Sequence, residues 1–354
     1  MREDDKLIKT LRLLAPGMPL REGLDNILRA RTGALIVIGD TPQVLSLTEG
    51  GFPLTCEMQP ATLYELAKMD GAIILSHDTT RILYANTQLV PDSSIPSSET
   101  GIRHRTAERV AKQTNELVIS ISQRRNMITL YWGSCKYVLR DINAILTKAN
   151  QALQTLEKYR SVLDQALTNL TAAECEDAVT LFDVATVFQR VEMVRRISSE
   201  LERYVVELGT EGRLVSMQKR ELTAQVDSEA ILLTKDYHQA VDGKSPENVL
   251  DQIAALSAED VVDPAPLVRL LGFGSGASME LSVAPRGYRI VSKIPRLPPQ
   301  VIDNLVQAFT KLPEIMQANT EQLDDVEGIG EVRARAIRDG LRRLQEQALL
   351  DRHL

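Results

Sequence analysis

The order of apolar and polar positions divides the chain into three textures. In the first, residues 1–140, Leu7, Leu11 and Leu14 share one helical face and predict a short N-terminal helix. The unbroken run Ala34-Leu35-Ile36-Val37-Ile38, closed by Gly39-Asp40, predicts a buried strand. A helix over about 60–69 leads into Asp70, and Ala72-Ile73-Ile74-Leu75, the polar turn His77-Asp78-Thr79-Thr80 and a strand around Ile82–Ala85 predict a hairpin-like unit. Leu117–Ile121 and Met127–Tyr131 form a further strand pair around Gln123-Arg124-Arg125-Asn126. This is the pattern of a mixed sheet flanked by helices.

The second texture, 141–287, is helical. Ile142, Ala149, Leu156, Leu163 and Leu170 recur every seventh residue, with Leu146, Leu153 and Leu167 between them, which predicts a long helix with one apolar stripe. Thr171-Ala172-Ala173-Glu174 has the form of a capping box opening the next helix, and Gly209 closes it. Pro246, Pro264 and Pro266 punctuate the far side, and Gly272-Phe273-Gly274-Ser275-Gly276 reads as a loop: no strand precedes it and it lacks the Lys-Ser/Thr of a P-loop. The third texture, 288–354, is a set of short helices. The expected organisation is therefore an α/β domain at 1–140, an all-α bundle at 141–287 and a helix-hairpin-helix region at 288–354.

Composition narrows the function classes. A 354-residue chain suits two or three domains, and 44% hydrophobic with 25% charged residues is ordinary for a folded protein. Only 4% of residues are aromatic, in keeping with helices packed on Leu, Ile, Val and Ala. A net charge of −7 excludes a surface that is basic throughout, so nucleic-acid contact requires a local patch. Cys56, Cys135 and Cys175 lack the spacing of a disulfide framework or a zinc site, and His77, His238 and His353 stand alone as surface or turn residues. The N-terminus has no secretory h-region, and no stretch of roughly 18 apolar residues offers a membrane span, so a cytoplasmic protein without membrane contact is expected.

Chemistry concentrates between residues 70 and 106. Asp70-Gly71-Ala72 sets a carboxylate, suited to Mg²⁺ or Mn²⁺, beside a residue that lets a ligand approach the backbone. Thr100-Gly101-Ile102-Arg103-His104-Arg105-Thr106 then puts two guanidiniums and an imidazole at a predicted helix start, where free N–H groups favour phosphate. Glu99 and Glu108 are the acids spaced to neutralise them, which is how a solvated surface cluster would look.

Together these segments, with Leu89-Val90-Pro91, Ser94-Ile95-Pro96 and the Ser122-Gln123-Arg124-Arg125 turn, resemble the diadenylate cyclase (DAC) domain, and the whole chain resembles its DNA-scanning members. The resemblance implies condensation of two ATP into cyclic di-AMP with release of two pyrophosphates, across facing half-sites in a homo-octamer, supported by Mg²⁺ or Mn²⁺. It implies that Asp70 binds metal and helps activate the hydroxyl, that Arg103, His104 and Arg105 act on the phosphates, and that Gly71, Ala72, Leu89, Thr100, Gly101, Ile102 and Thr106 contact the nucleotide. Ile102 stands where the family commonly has Thr, and Ser122 reads as a base contact or a turn cap.

Near the C-terminus, Gly328-Ile329-Gly330 with Ala334 gives a GxGxxxA pattern that resembles a helix-hairpin-helix, which grips DNA backbone through hairpin amides. Val326 and Ile337 face its small core, and Arg333, Arg335, Arg338, Arg342 and Arg343 supply charge. Ile294-Pro295-Arg296-Leu297-Pro298 reads as a degenerate first copy, and paired copies suit branched DNA such as a Holliday junction, whose binding is expected to inhibit synthesis. The competing readings are a non-enzymatic, ATP-sensing DNA-architecture protein and, for the tail, a helical oligomerisation cap.

Overall fold

Strand β1 (Ala34–Ile38) is buried at every position, and that one property organises the first half of the molecule. In the computed structural model, which describes residues 3–239, 245–274 and 276–351, β1 lies at the centre of a mixed sheet. Helices α1 (Glu3–Leu13) and α2 (Pro19–Arg29) precede it, and α3 (Pro42–Leu45), β2 (Thr48–Glu49), β3 (Phe52–Glu57), α4 (Pro60–Leu66), β4 (Ala72–Leu75) and β5 (Arg81–Leu89) follow. Then come α5 (Ile102–Thr114), β6 (Leu117–Ser122), β7 (Met127–Trp132) and β8 (Cys135–Val138). The strand order is β2-β5-β4-β1-β6-β7-β8, with β3 also on β5; β1 and β4 are parallel and the remaining pairs antiparallel.

Alternation along β1 feeds two cores. Ala34, Ile36 and Ile38 join Leu20, Leu24 and Ile27 of α2 and Leu63 of α4, while Leu35 and Val37 join Ala107, Val110 and Ala111 of α5. A strand covered by helices on both faces has no solvent side, which is why its sequence reads as a continuous apolar run. The expected hairpin is β4–β5, whose turn is tied by Asp78 accepting from Ser76 Oγ (2.5 Å) and Thr80 N (3.1 Å).

The heptad stripe is the buried face of α6 (Ile142–Cys175), with Ala149, Leu156, Leu163 and Leu170 all buried. The proposed capping box at Thr171 is corrected: those residues are the last turns of α6, where the Thr171 hydroxyl donates to Leu167 O at 2.8 Å. The next helix, α7 (Leu181–Leu208), is opened instead by Thr180 and Asp183. Thr180 N and Oγ1 donate to Asp183 Oδ2 (2.9 and 2.6 Å) and Asp183 N donates to Thr180 Oγ1 (3.3 Å). Gly209 ends α7 with φ +52°.

The chain continues through α8 (Arg213–Leu222), α9 (Val226–Tyr237), α10 (Pro246–Ala254), α11 (Ala258–Val262) and α12 (Pro264–Leu270). It ends with α13 (Tyr288–Ser292), α14 (Pro299–Phe309), α15 (Leu312–Gln317), α16 (Thr320–Asp324) and α17 (Glu331–Asp351). Contacts group the chain into two compact units, residues 1–150 with 202–216, and residues 151–201 with 217–354. His238 is a second correction: it caps α9 and is buried, 6% exposed, rather than lying on the surface. His77 is exposed in the β4–β5 turn, and His353 lies outside the described residues. Among the described residues no helix is long and apolar enough to cross a membrane.

Candidate active site and nucleic-acid interface

Gly71 adopts φ +109°, and a Cβ there would lie 2.8 Å from Asn86 C and 3.0 Å from Thr87 O on β5. Only glycine fits this backbone, and it delivers Asp70 to the rim of the sheet immediately before β4. The Asp70 carboxylate is almost fully exposed and accepts from its neighbour's amide, Gly71 N, at 3.2 Å. Ala72, the third residue of the motif, is 1% exposed and belongs to the core beneath.

Facing Asp70 is the start of α5. Gly101 is its N-cap with extended φ/ψ, and Arg105 N is the first amide to bond back, to Gly101 O at 2.8 Å. The amides of Ile102, Arg103 and His104 are therefore free helix-start donors. The loop before the helix is fastened by Glu108, which accepts from Ser97 Oγ (2.5 Å) and Ser98 N (3.0 Å) and pairs with Lys112 (2.7 Å). Neither acid neutralises the two guanidiniums: Glu108 holds the loop, and Glu99 pairs with Lys136 (2.5 Å) and accepts from Tyr131 OH (2.8 Å). Arg103 meets Asp70 instead, Nη2 to Oδ1 at 3.2 Å. An ion pair this exposed contributes little to stability and exchanges readily for a ligand.

Arg105 donates to the carbonyls of Glu99 (3.3 Å) and Thr100 (3.4 Å), so it steadies the loop while its end stays exposed. Ile102 is 82% exposed and makes no core contact, so the departure from Thr at this position leaves the fold untouched. Thr106 is half-buried one turn in. His104 is half-buried, with Nδ1 3.0 Å from the Tyr131 oxygen. Burial depresses its pKa below the ordinary 6.5, with Glu99 opposing and Lys136 and Arg125 reinforcing. Leu89 pairs with Thr48 through its backbone and buries its side chain with Ala107 and Val110. Ser122 Oγ accepts from Arg125 N at 3.2 Å, which makes it a cap of the β6–β7 turn.

One positioning residue escaped the sequence reading. Gly33, just ahead of β1, has the Arg103 guanidinium lying over it, and any Cβ would run into Nη1. A glycine abutting a buried strand is the signal that a close approach occurs there. Tyr131 and Lys136 were likewise missed: Tyr131 lies in a strand buried at all but its first position, and the short strand carrying Lys136 left no signal in the sequence.

Could these residues hold a divalent ion? No group of three His, Cys, Asp or Glu gathers among the described residues, so the protein offers Asp70 and no cage. One carboxylate completed by substrate phosphates and water is the usual arrangement for Mg²⁺, and the site fits it.

In the C-terminal region, α16 leads through a turn at 325–330 into α17. Gly328 takes φ +83°, a Cβ on Gly330 would meet nothing within 4 Å, and Ala334 N is the first amide of α17 to bond back, to Gly330 O at 2.9 Å. Val326, Ile329, Ala334 and Ile337 are buried in one core with Leu305 and Ile294. Arg333 wraps onto the hairpin, Nη1 to Gly328 O at 2.6 Å; Arg338 donates to Thr320 Oγ1 (3.2 Å), and Arg335 pairs with Glu331. Upstream, α13 leads through a turn into α14, with Arg296 at φ +66° three residues before α14, as Gly328 stands three residues before α17. Asn304 Nδ2 of α14 donates to Glu327 O, in the turn at 325–330, at 2.9 Å.

Comparison with known proteins agrees with this anatomy. Residues 21–134 match the family model described as DisA bacterial checkpoint controller nucleotide-binding, and residues 139–280 match the DisA bacterial checkpoint controller linker region. The DNA integrity scanning protein DisA of Carboxydothermus hydrogenoformans is 60% identical over 98% of this chain and 98% of its own. Those of Symbiobacterium thermophilum (59%; 98% and 98%) and Acetivibrio thermocellus (56%; 99% and 97%) are similar. A mixed-sheet DAC domain followed by helices, and this level of identity over nearly the whole length, lead to one conclusion: the chain belongs to the DisA family of DNA integrity scanning proteins and is a diadenylate cyclase, a nucleotidyltransferase.

Proposed function

We propose that each protomer holds one ATP between Asp70-Gly71 and the N-terminus of α5, and that two such half-sites face each other to make cyclic di-AMP. The observation that carries this reading is the meeting of Asp70 and Arg103 at 3.2 Å beside three free helix-start amides. Here a carboxylate, a guanidinium and N–H donors converge on one exposed spot, which is what a polyphosphate and its counter-ion require.

In each half-reaction a ribose 3′-oxygen attacks the opposing α-phosphorus. The O3′–Pα bond forms as the bond from the α-phosphorus to the bridging oxygen breaks, pyrophosphate leaves with the electron pair, and the hydroxyl proton passes to solvent water. Such in-line transfer asks the protein for positioning and charge neutralisation. Arg103 and Arg105 supply positive charge, the α5 amides hold phosphate oxygens, and the carboxylate of Asp70, freed from Arg103, is available to Mg²⁺ or Mn²⁺ and to orienting the hydroxyl. When bound, that ion would offset phosphate charge. Gly71, Gly101 and Thr100 bring backbone to the nucleotide. Because a lone half-site has no acceptor opposite, assembly is part of catalysis, and an octamer of paired tetramers satisfies this.

The paired helix-hairpin-helix copies, with Gly328, Ile329, Gly330, Arg333, Arg335 and Arg338, would grip DNA backbone, and branched DNA would lower cyclase output. Incubation with ATP and Mn²⁺, analysed for cyclic di-AMP, tests the reading. Wild type should form product and Asp70→Asn should lose about a hundredfold or more in rate; an assembled wild type without product would overturn it.

A further inference from the structure

Behind Arg103 and Arg105 a polar chain runs into the sheet that nucleotidyl transfer, as set out above, does not use. Glu99 is nearly buried (side chain 9% exposed) and accepts hydrogen bonds from both the Tyr131 hydroxyl, at 2.8 Å, and the Lys136 ammonium, at 2.5 Å. Burial acts to raise the Glu99 pKa, yet the hydrogen bonds from Lys136 and Tyr131 outweigh it and the net displacement is downward. Glu99 is therefore a carboxylate, and a carboxylate is the stronger claimant for the single phenolic proton.

The Tyr131 oxygen is then left with lone pairs toward His104 Nδ1, 3.0 Å away. Two lone pairs do not bond each other, so Nδ1 must carry the hydrogen and donate it to Tyr131. A neutral imidazole has only one N–H, which leaves Nε2 as a bare acceptor. Nε2 is buried and has no hydrogen-bond partner among the described residues. The charged groups around the ring are Glu99, Lys136 and Arg125, from the loop, β8 and the β6–β7 turn, and the edge-on Tyr131 ring closes the inner side. Lys136 is engaged with Glu99, and neither it nor Arg125 donates a hydrogen bond to Nε2.

We propose that Glu99, Tyr131 and Lys136 are positioning residues that lock His104 in its Nδ1–H tautomer, so that Nε2 accepts a hydrogen bond from an O–H or N–H of the bound nucleotide. His104 is thereby separated in role from its neighbours Arg103 and Arg105: they donate to phosphates, and it reads a sugar hydroxyl or base amino group. The inference rests on the reading that a nucleotide docks at the start of α5.

The test is ring-nitrogen NMR of the full chain carrying ¹⁵N-histidine, with His104→Gln to assign the signals. The wild type should show a protonated Nδ1 and a bare Nε2 at neutral pH, and a non-hydrolysable ATP analogue should leave Nε2 unprotonated. Tyr131→Phe keeps the buried ring but removes the acceptor oxygen; it should populate the Nε2–H tautomer and lower kcat/KM about tenfold with the fold intact. His104→Gln, which retains an acceptor, should keep more activity than His104→Lys. An Nε2–H in the wild type, an Nε2 that becomes protonated when the analogue binds, or a Tyr131→Phe protein with unchanged tautomer would overturn the proposal. The tautomer is read without turnover, so a protein with the expected tautomer and no cyclic product would overturn the cyclase reading alone.

Discussion

Replacing Gly33 by Ala tests whether Arg103 is held where the phosphates need it. Gly33 is not among the positive-φ positions, so alanine is conformationally acceptable there. Its Cβ, however, would overlap Arg103 Nη1 and come 3.3 Å from Ile121 O. The carbonyl contact is tight but tolerable; the guanidinium must swing away and give up its place beside Asp70. Hydrogen bonds from a charged donor are worth about 1.5–3 kcal/mol, or roughly 10- to 150-fold in kcat/KM. Arginine is flexible and recovers part of this, so a loss of about tenfold is expected, with the denaturation midpoint close to wild type. The decisive assay is a double-mutant cycle: in an Arg103→Ala background, Gly33→Ala should cost less than about twofold. An equal loss in both backgrounds would show that Gly33 acts on something other than Arg103, and the reasoning would fail.

The remaining predictions concern stability and DNA. Arg289 and Glu174 are fully buried and paired, with Thr171 and Tyr237 also engaged, so Glu174→Gln should destabilise by about 3–5 kcal/mol in urea unfolding. A paired apolar replacement at both positions should fall closer to wild type, and a Glu174→Gln loss under ~1 kcal/mol would contradict the pairing. Burial keeps the pKa of His104 below 6.5, so the folded state binds its proton less readily than the unfolded chain does. Its contribution to stability is therefore complete above that pH and declines as pH falls below it; His104→Gln should flatten this part of the profile, and an unchanged profile would exclude it. Arg338→Ala should weaken binding to branched DNA and reduce the slope of log K against log salt by about 0.9, whereas an unchanged slope would remove Arg338 from the phosphate contacts.

Much of this was legible in the chain, for definite reasons. β1 was visible because both of its faces are covered, and α6 because Ala149, Leu153, Leu156, Leu163 and Leu170 of its stripe are buried. β3 was invisible: its residues are almost all exposed, so no alternation marks it. Thr171 misled because Ser/Thr-x-x-Glu is a local signature that the last turns of a helix also carry, and α6 runs on through it to Cys175. His238 was misplaced because its surroundings come from the fold: Arg286, far along the chain, donates to its carbonyl at 2.9 Å. At the site, motif and helix start singled out Asp70 and Arg103, and the structure sets them 3.2 Å apart. The use of Gly33 as a seat for a guanidinium, and the conversion of His104 from a third cation into an acceptor by Glu99 and Tyr131, depend on strands meeting across the sheet.

The central claim is that two facing half-sites, each built on Asp70 and the start of α5, together make cyclic di-AMP. The most direct measurement follows cyclic di-AMP formation from ATP and Mn²⁺ across a dilution series, with the oligomeric state recorded at each concentration. Activity per protomer should fall in step with dissociation, and monomers should be silent. Product formed at full specific activity by monomers would contradict the account.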